Sequence, residues 1–534
     1  MKEAPLDSTE ANRLPVSVGW RGGVVTQHAL SELEACLRRF REPVFVRKPG
    51  ATPVDGEHYG LPGYAYSPAL HPEDLGDPAF RAHHGVRFAY YTGSMANGIG
   101  SEAIVEAMGN AGMLGFFGAA GLAPARIEVA LQRLTASMAG KPWGCNLINS
   151  PGDPIWQEAV ADLYIKHGVP CIEASAYISL SLPLVKYRTA GIHVDADGSI
   201  VVPNHVIAKL SRVEVARRFL SPPPEKMLRQ LVEAGHLTPE QAALAAKVPV
   251  ADDVTVEADS GGHTDHRPAI TVLPAMLALR DEIQAEQGYP IAPRIGLGGG
   301  IGTPSAVAAT FQMGAAYVVT GSINQACAES GSSDRVRAML ANATQTDVGQ
   351  APAADMFEMG VKVQVLRRGT MFAQRALKLY ELYQAWPSIE AMPAEVRAGL
   401  DKTLGRKADE IWAETVSFWT ARDPHEVAKA ERDPKHKMAL IFRWYLGLSS
   451  RWAIAGEPSR KLDYQIWCGP AMGAFNAWTA GTFLAEPKER RVVQVALNLL
   501  EGAACVTRAH QLRSFGAPVP PEAFAFAPRR LVAG

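Results

Sequence analysis

Residues 293–304, Pro-Arg-Ile-Gly-Leu-Gly-Gly-Gly-Ile-Gly-Thr-Pro, constrain the fold of this chain more than any other stretch. A short apolar strand runs into consecutive glycines. A helix then begins with Thr303 as N-cap and Pro304 at its first position, places that favour those residue types. Glycine lets backbone N–H groups close on a ligand with no Cβ in the way, and a helix start adds unpaired donors and a partial positive charge. The stretch reads as a phosphate seat. About 20 residues on, the length of one helix and a return strand, residues 316–322 (Ala-Tyr-Val-Val-Thr-Gly-Ser) end a second strand in another small-residue donor pair. Two adjacent strand ends sharing one phosphate is the arrangement of strands seven and eight in a (β/α)8 barrel. A dinucleotide fingerprint fits less well, because the glycine spacing departs from G-x-G-x-x-G and the next strand end offers Thr320 rather than an acid for a ribose. A glycine turn without a ligand does not explain why two such turns come as a pair.

The rest of the chain supplies the other strands of an α/β (β/α)8 TIM barrel. The pattern predicts strands at 88–92, 114–117, 144–148, 171–174, 206–209 and 254–257, with helices at 101–111, 124–138 and 274–287 and a further helix ending at Gly168. Eight strands between residue 88 and about 343 match the roughly 250 residues such a barrel takes. Asp197-Gly198 marks a hairpin before strand five. After strand five, residues 221–250 open on consecutive prolines and read as two helices, the second starting at a Thr238-Pro239-Glu240-Gln241 capping box. This helical insertion is expected over the barrel mouth, where loops following strands lie. The expected division is a wrapping segment (1–85), the barrel (86–345), a connecting segment packed on it (346–400, strand-like at 361–365) and a helical accessory region (401–534). Most of the ten tryptophans fall in that α-helical C-terminal region, as core aromatics rather than a binding box.

Bulk properties exclude several classes. A net charge of -1 over 534 residues argues against a nucleic-acid partner, and 47% hydrophobic residues allow a large core. Six cysteines form no C-x-x-C pair, and the first residues lack a signal-peptide pattern, so a reduced, cytoplasmic protein is expected. No uninterrupted apolar run approaches the ~18 residues of a membrane span, so no membrane association is expected.

In a barrel the loops after each strand converge on one face, and the residues there form a flavin-shaped set. Gly93, Ser94 and Met95 follow strand one; Asn146 lies in strand three and Lys209 at the end of strand five. Ser260, Gly261, Gly262 and His263 follow strand six, and Gly299, Gly300, Gly321 and Ser322 form the phosphate seats. Lys209 suits the cation that a reduced flavin ring needs near N1, although a lysine snorkelling at a strand end reads the same way. Asn146 in an apolar strand needs partners if buried. His263 is suited to proton transfer near neutral pH. With Asp265 and His266 it could instead suggest a metal site, but no third ligand motif accompanies them and no metal is expected.

These motifs resemble a known group. Gly298-Gly299-Gly300-Ile301-Gly302-Thr303, Gly321-Ser322, Gly93-Ser94-Met95-Ala96 and Ser260-Gly261-Gly262-His263 resemble the 2-nitropropane dioxygenase-like FMN barrels, which include nitronate monooxygenases and flavin-dependent enoyl-ACP reductases. Residues 191–195 (Gly-Ile-His-Val-Asp), 256–265 (Val-Glu-Ala-Asp-Ser-Gly-Gly-His-Thr-Asp), 320–325 (Thr-Gly-Ser-Ile-Asn-Gln) and 355–365 (Asp-Met-Phe-Glu-Met-Gly-Val-Lys-Val-Gln-Val) resemble, within that group, the PfaD family of trans-acting enoyl reductases from polyketide and polyunsaturated fatty-acid synthases. The resemblance runs over nearly the whole chain. It implies FMN reduced by NADPH, a hydride delivered from flavin N5 to the β-carbon of an α,β-unsaturated thioester on an acyl carrier protein, and a proton delivered to the α-carbon. It implies Gly299, Gly300, Gly321 and Ser322 as phosphate contacts, Met95 and Asn146 as ring contacts and His263 as the active-site histidine. Gly93-Ser94 stands where relatives often have two glycines. A nitronate monooxygenase, or a non-catalytic flavin-binding scaffold within a synthase, shares much of this pattern, and the oligomeric state, a homodimer among the options, is left open.

Overall fold

The computed structural model describes residues 20–21, 24–25, 27–48 and 63–531. The reading of the first 19 residues, including the absence of a signal-peptide pattern, and part of the wrapping segment lie outside the described residues. Eight parallel strands close into a barrel: β1 (Tyr90–Thr92), β2 (Leu114–Phe117), β3 (Gly144–Ile148), β4 (Cys171–Ser175), β5 (His205–Leu210), β6 (Asp253–Glu257), β7 (Arg294–Gly298) and β8 (Val318–Thr320). They pair in chain order, and β8 returns to β1 with Thr320 opposite Thr92. The strands are short apolar runs buried on both faces, as parallel sheets require. The helices between them are α1 (Glu102–Asn110), α2 (Pro124–Ser137), α3 (Pro154–Lys166), α4 (Leu182–Thr189), α5 (Val213–Leu220), α6 (Ala269–Gln287) and α7 (Pro304–Gln312). Capping sets several of their starts: Ser101, Asp153, Ser181 and Thr303 accept hydrogen bonds from the backbone N–H of Ile104, Trp156, Leu184 and Ala306. Helix α6 begins five residues earlier than expected and carries Pro274 inside it.

The insertion is present as two helices, Glu225–Glu233 and Pro239–Ala245, with the capping box at Thr238 and Gln241. Its expected place over the mouth is corrected. Helix α5 lies between β5 and the insertion, so the two helices belong to the return from α5 to β6, at the end of the barrel opposite the strand C-termini. There Leu228, Leu231, Leu237 and Ala245 bury against Val185 of α4 and against Ile192, from the return into β5. The region is structural support rather than a lid.

Helix Pro78–His84 plugs the same base, with Phe80 stacked on Tyr317 at 4.2 Å between ring centroids. Asp253, fully buried, is gripped by Arg294 (Nε–Oδ1 2.6 Å, Nη2–Oδ2 2.9 Å) and by His84 Nε2 at 2.7 Å. Burial pushes its carboxyl up, but Arg294 and His84 outweigh burial and hold its pKa at about 2. Beside it, Asp252 receives a two-pronged ion pair from Arg188 at 2.7 and 2.8 Å. Removing one partner of such a buried pair leaves an uncompensated charge. Asp253→Asn is therefore expected to lower unfolding stability by about 3–5 kcal/mol near neutral pH. Because the folded carboxyl titrates below its unfolded value, its stabilisation is complete above about pH 4. It is lost as pH falls toward 2, so denaturant melts should show the gap between wild type and variant narrowing over that range.

The cores do not follow the expected division of the tail. Residues between Ala351 and Leu446, including Phe357, Phe372, Leu400, Ile411 and Phe442, bury together as a separate cluster. The later helices Ala471–Thr479 and Val492–Ser514 join the barrel core through Met472, Phe475, Val495 and Leu499. Helix Val492–Ser514 is long and apolar enough to cross a membrane, but 72% of its apolar window is buried inside the protein. It also anchors helix Gln27–Leu37, whose Leu37 carbonyl accepts from buried Arg508 at 2.8 Å. All six cysteines are free and buried.

Candidate active site

The strand register brings the expected residues to one rim. Glu257 pairs with Gly298, Gly298 with Val319 and Thr320 with Thr92, so the ends of β6, β7, β8 and β1 lie side by side. Gly299 and Gly300 leave β7 with φ of +94° and +75°, backbone that side chains resist. A Cβ on Gly299 would strike the Ala258 carbonyl at 2.7 Å, whereas a Cβ on Gly300 or Gly321 would meet nothing within 4 Å. The last two therefore open onto free space beside the start of α7. Ser322 Oγ accepts from Gly469 N–H at 3.0 Å, which leaves its own hydrogen to donate. Open glycines, a helix start and a free hydroxyl hydrogen form a donor set that suits a phosphate dianion.

One wall of this seat comes from the far end of the chain, which the sequence reading did not anticipate. Residues 467–471 run along it: a Cβ on Gly302 would lie 2.4 Å from the Ala471 carbonyl, and one on Gly261 would lie 2.9 Å from Cys468 N. The segment is itself tied to strand Lys362–Leu366 by hydrogen bonds from Leu366 N–H to Ile466 and from Cys468 N–H to Gln364. Gly302→Ala must push backbone against backbone. The expected cost is about 1–3 kcal/mol in a denaturant melt, with weaker binding of any ligand in the seat.

Beyond the seat, a buried polar line crosses the barrel. Glu173 in β4, fully buried, is its centre. It accepts from Ser94 N–H at 3.0 Å, from the Ser94 hydroxyl and from Tyr91 Oη at 3.1 Å. The N–H and hydroxyl of Ser94 are thus both directed to Glu173. Gly93 donates to the Thr320 carbonyl at 3.0 Å, tying β1 to β8, and Met95 packs half-buried against the core. Asn146 is buried, and its Nδ2 donates to the Glu173 carbonyl (2.9 Å) and to Ser175 Oγ (2.8 Å). Only its side-chain oxygen remains to accept from a ligand.

Lys209 sits 3.2 Å from Glu257 Oε1. Burial pulls its pKa down, but Glu257 and Glu173 outweigh burial and raise it, so the ammonium stays charged. Ser260 Oγ reaches Glu257 at 3.3 Å, and the Ser260 carbonyl accepts from Gln364 Nε2 at 2.7 Å. Gly262 and His263 form a short strand paired antiparallel with Lys362–Leu366. His263, 37% exposed, has Nε2 3.3 Å from Asp355 Oδ1, outside hydrogen-bond alignment. Burial lowers its pKa, but Asp355 and Glu257 together exceed burial and the opposing Lys209, and the net displacement is upward. The two neighbours that could have joined His263 in a metal site go elsewhere: Asp265 to Arg212 at 3.0 Å and His266 to Asp259 at 2.8 Å. Glu173 and Asp355 are the site residues the sequence reading missed. An acid inside an apolar strand was the available signal for Glu173; Asp355 was marked only as the first residue of the resembling stretch 355–365.

The fold and this rim define the class: the (β/α)8 oxidoreductase barrels. The chain belongs to the nitronate monooxygenase family, whose profile matches residues 82–424. A second profile, the inserted helical domain of acyl-carrier-protein S-malonyltransferase, matches residues 386–464. A polyunsaturated fatty acid synthase protein from Thraustochytrium sp. is 47% identical over 449 residues, covering 83% of this chain and 30% of that protein. Polyketide biosynthesis protein PksE from Bacillus subtilis is 43% identical over 434 residues, covering 81% of this chain and 56% of that protein. The chain thus spans less than two thirds of either relative. The crystal structure of the enoyl reductase domain of MlnA, from the macrolactin biosynthesis cluster of Bacillus amyloliquefaciens, superposes with a TM-score of 0.78 at 38% identity, covering 83% of this chain and 98% of that one.

Proposed function

We propose that this protein is an FMN-dependent, NADPH-consuming enoyl reductase that acts in trans on α,β-unsaturated acyl thioesters carried by an acyl carrier protein, in polyketide or polyunsaturated fatty-acid assembly. The observation that carries the reading is the meeting, on one rim, of open glycine backbone at Gly300 and Gly321 and the Ser322 hydroxyl with His263, whose pKa, against the pull of burial, is displaced upward chiefly by Asp355. Similarity to the MlnA enoyl reductase domain and to synthase proteins supports the substrate class, and the helical profile at 386–464 supports a carrier-protein partner.

When bound, the flavin would supply the hydride for the β-carbon. Gly299, Gly300, Gly321 and Ser322 would hold its phosphate. Asn146 would accept from a ring N–H through Oδ1, and Lys209, kept cationic between Glu257 and Glu173, would balance negative charge on the ring. Glu173 holds Ser94 and so fixes the β1 loop carrying Met95. Gly261 and Gly262 let the chain pass against residues 467 and 468 on its way to His263, and with Ser260 they would border the cofactor. His263 would donate the proton to the α-carbon.

The test is steady-state turnover with NADPH and a crotonyl-type carrier thioester. NADPH consumption matched by saturated product is expected, and no turnover across several chain lengths would overturn the reading. A nitronate monooxygenase is the second reading, favoured by the family profile over residues 82–424. It predicts fast oxidation of alkyl nitronates without NADPH and no need for a carrier protein.

A further inference from the structure

His263 is fixed by a sheet that is not part of the barrel. Strand Gly262–His263 pairs with Lys362–Leu366, which pairs in turn with Val348–Pro352. Val363 faces both His263 and Ala351 in that register. The turn joining outer strand Val348–Pro352 to the middle strand Lys362–Leu366 carries Asp355. It is closed by the hydrogen bond from Ala353 N–H to the Val361 carbonyl at 2.8 Å, and anchored by Phe357, fully buried against Tyr380, Tyr383 and Phe442. One small sheet therefore sets both the histidine and the acid facing it at 3.3 Å.

We infer that Asp355 is the positioning residue for His263: its carboxylate, 3.3 Å from Nε2, orients the ring by charge and makes Nδ1 the nitrogen that meets substrate. This rests on the enoyl reductase reading above. In the proton transfer the Nδ1–H bond would break and a C–H bond would form at the α-carbon, using the electron pair of the C=C bond, once the β-carbon has taken up the hydride that a bound flavin would supply. The ring is left neutral and regains its proton from solvent.

The charges facing the pair come from three elements. Glu257 at the end of β6 acts with Asp355, and Lys209 at the end of β5 acts against it. Arg443, from helix Pro434–Ala455, acts on Asp355, whose carboxyl is raised by burial but more strongly lowered by His263 and Arg443. Both side chains keep solvent contact (37% and 56% exposed), so screening limits the effect.

The test uses the full chain carrying Asp355→Asn, which keeps the shape and removes the charge, and Asp355→Glu. Two readouts are taken: the His263 titration by imidazole NMR, assigned against His263→Gln, and the pH profile of carrier-thioester saturation. Asp355→Asn is expected to lower the His263 midpoint by about half to one pH unit. The alkaline limb of the profile moves with it, which is a roughly 3- to 10-fold slower rate on that limb. FMN affinity stays unchanged, and Asp355→Glu restores most of the shift. An unmoved His263 midpoint in Asp355→Asn overturns the pairing, whatever the activity. A moved midpoint in a protein that saturates no thioester supports the pairing and overturns the proposed function instead.

Discussion

Gly300→Asp is expected to weaken FMN binding by roughly 100-fold while leaving the fold intact, the effect of a like charge placed beside a phosphate. The position is chosen by geometry. Its φ of +75° is one that aspartate tolerates better than most residues. Its Cβ direction is also empty for 4 Å, so the carboxylate enters the seat without displacing protein atoms. Gly300→Asn imposes the same backbone cost without charge and is expected to lose much less affinity. Gly140→Asp is the control, because Gly140 has a φ of +70° and open surroundings but lies beyond α2, away from the rim. Fluorescence titration of apo-protein with FMN measures all three. Equal affinities for the Gly300→Asp and Gly140→Asp proteins would remove the phosphate from this seat.

The second large effect is at His263. His263→Gln is expected to slow saturation of the carrier thioester by about 10²- to 10⁴-fold, the range for losing a positioned acid or base. FMN binding and bleaching of the flavin by NADPH should persist, since His263 is placed on the substrate side of the reading rather than among the phosphate contacts. Rapid turnover by the variant would reduce His263 to shaping the pocket.

The parts of the fold that were legible in the sequence are those fixed by neighbours in the chain. The barrel strands show as apolar runs bounded by glycine, proline or a cap, and β2 and β3 fall where expected, at Leu114–Phe117 and Gly144–Ile148. The glycine turn and the start of α7 were legible for the same reason: glycines, an N-cap threonine and a first-turn proline act locally. The insertion was misplaced because α5, Val213–Leu220, was not assigned. Whether a strand's own helix precedes an insertion decides which end of a barrel it covers.

What stayed hidden depends on distance in sequence. Glu173 gains its meaning from Ser94 and Tyr91, and Asp355 from His263; neither pairing leaves a local pattern. The wall formed by residues 467–471 is backbone meeting backbone at Gly261 and Gly302, so only the absence of side chains records it. Ser94 entered the flavin-shaped set by its position after strand one, and the pairing of its N–H and hydroxyl with Glu173, 79 residues away, leaves no mark in the loop itself.

An anaerobic absorbance titration tests the central claim most directly. The flavin-loaded protein is bleached with one equivalent of NADPH and then given a crotonyl-type carrier thioester. The enoyl reductase reading predicts that the flavin band returns in step with formation of the saturated acyl chain. A folded protein that takes up no flavin, or a bleached band that the thioester does not restore, would contradict it.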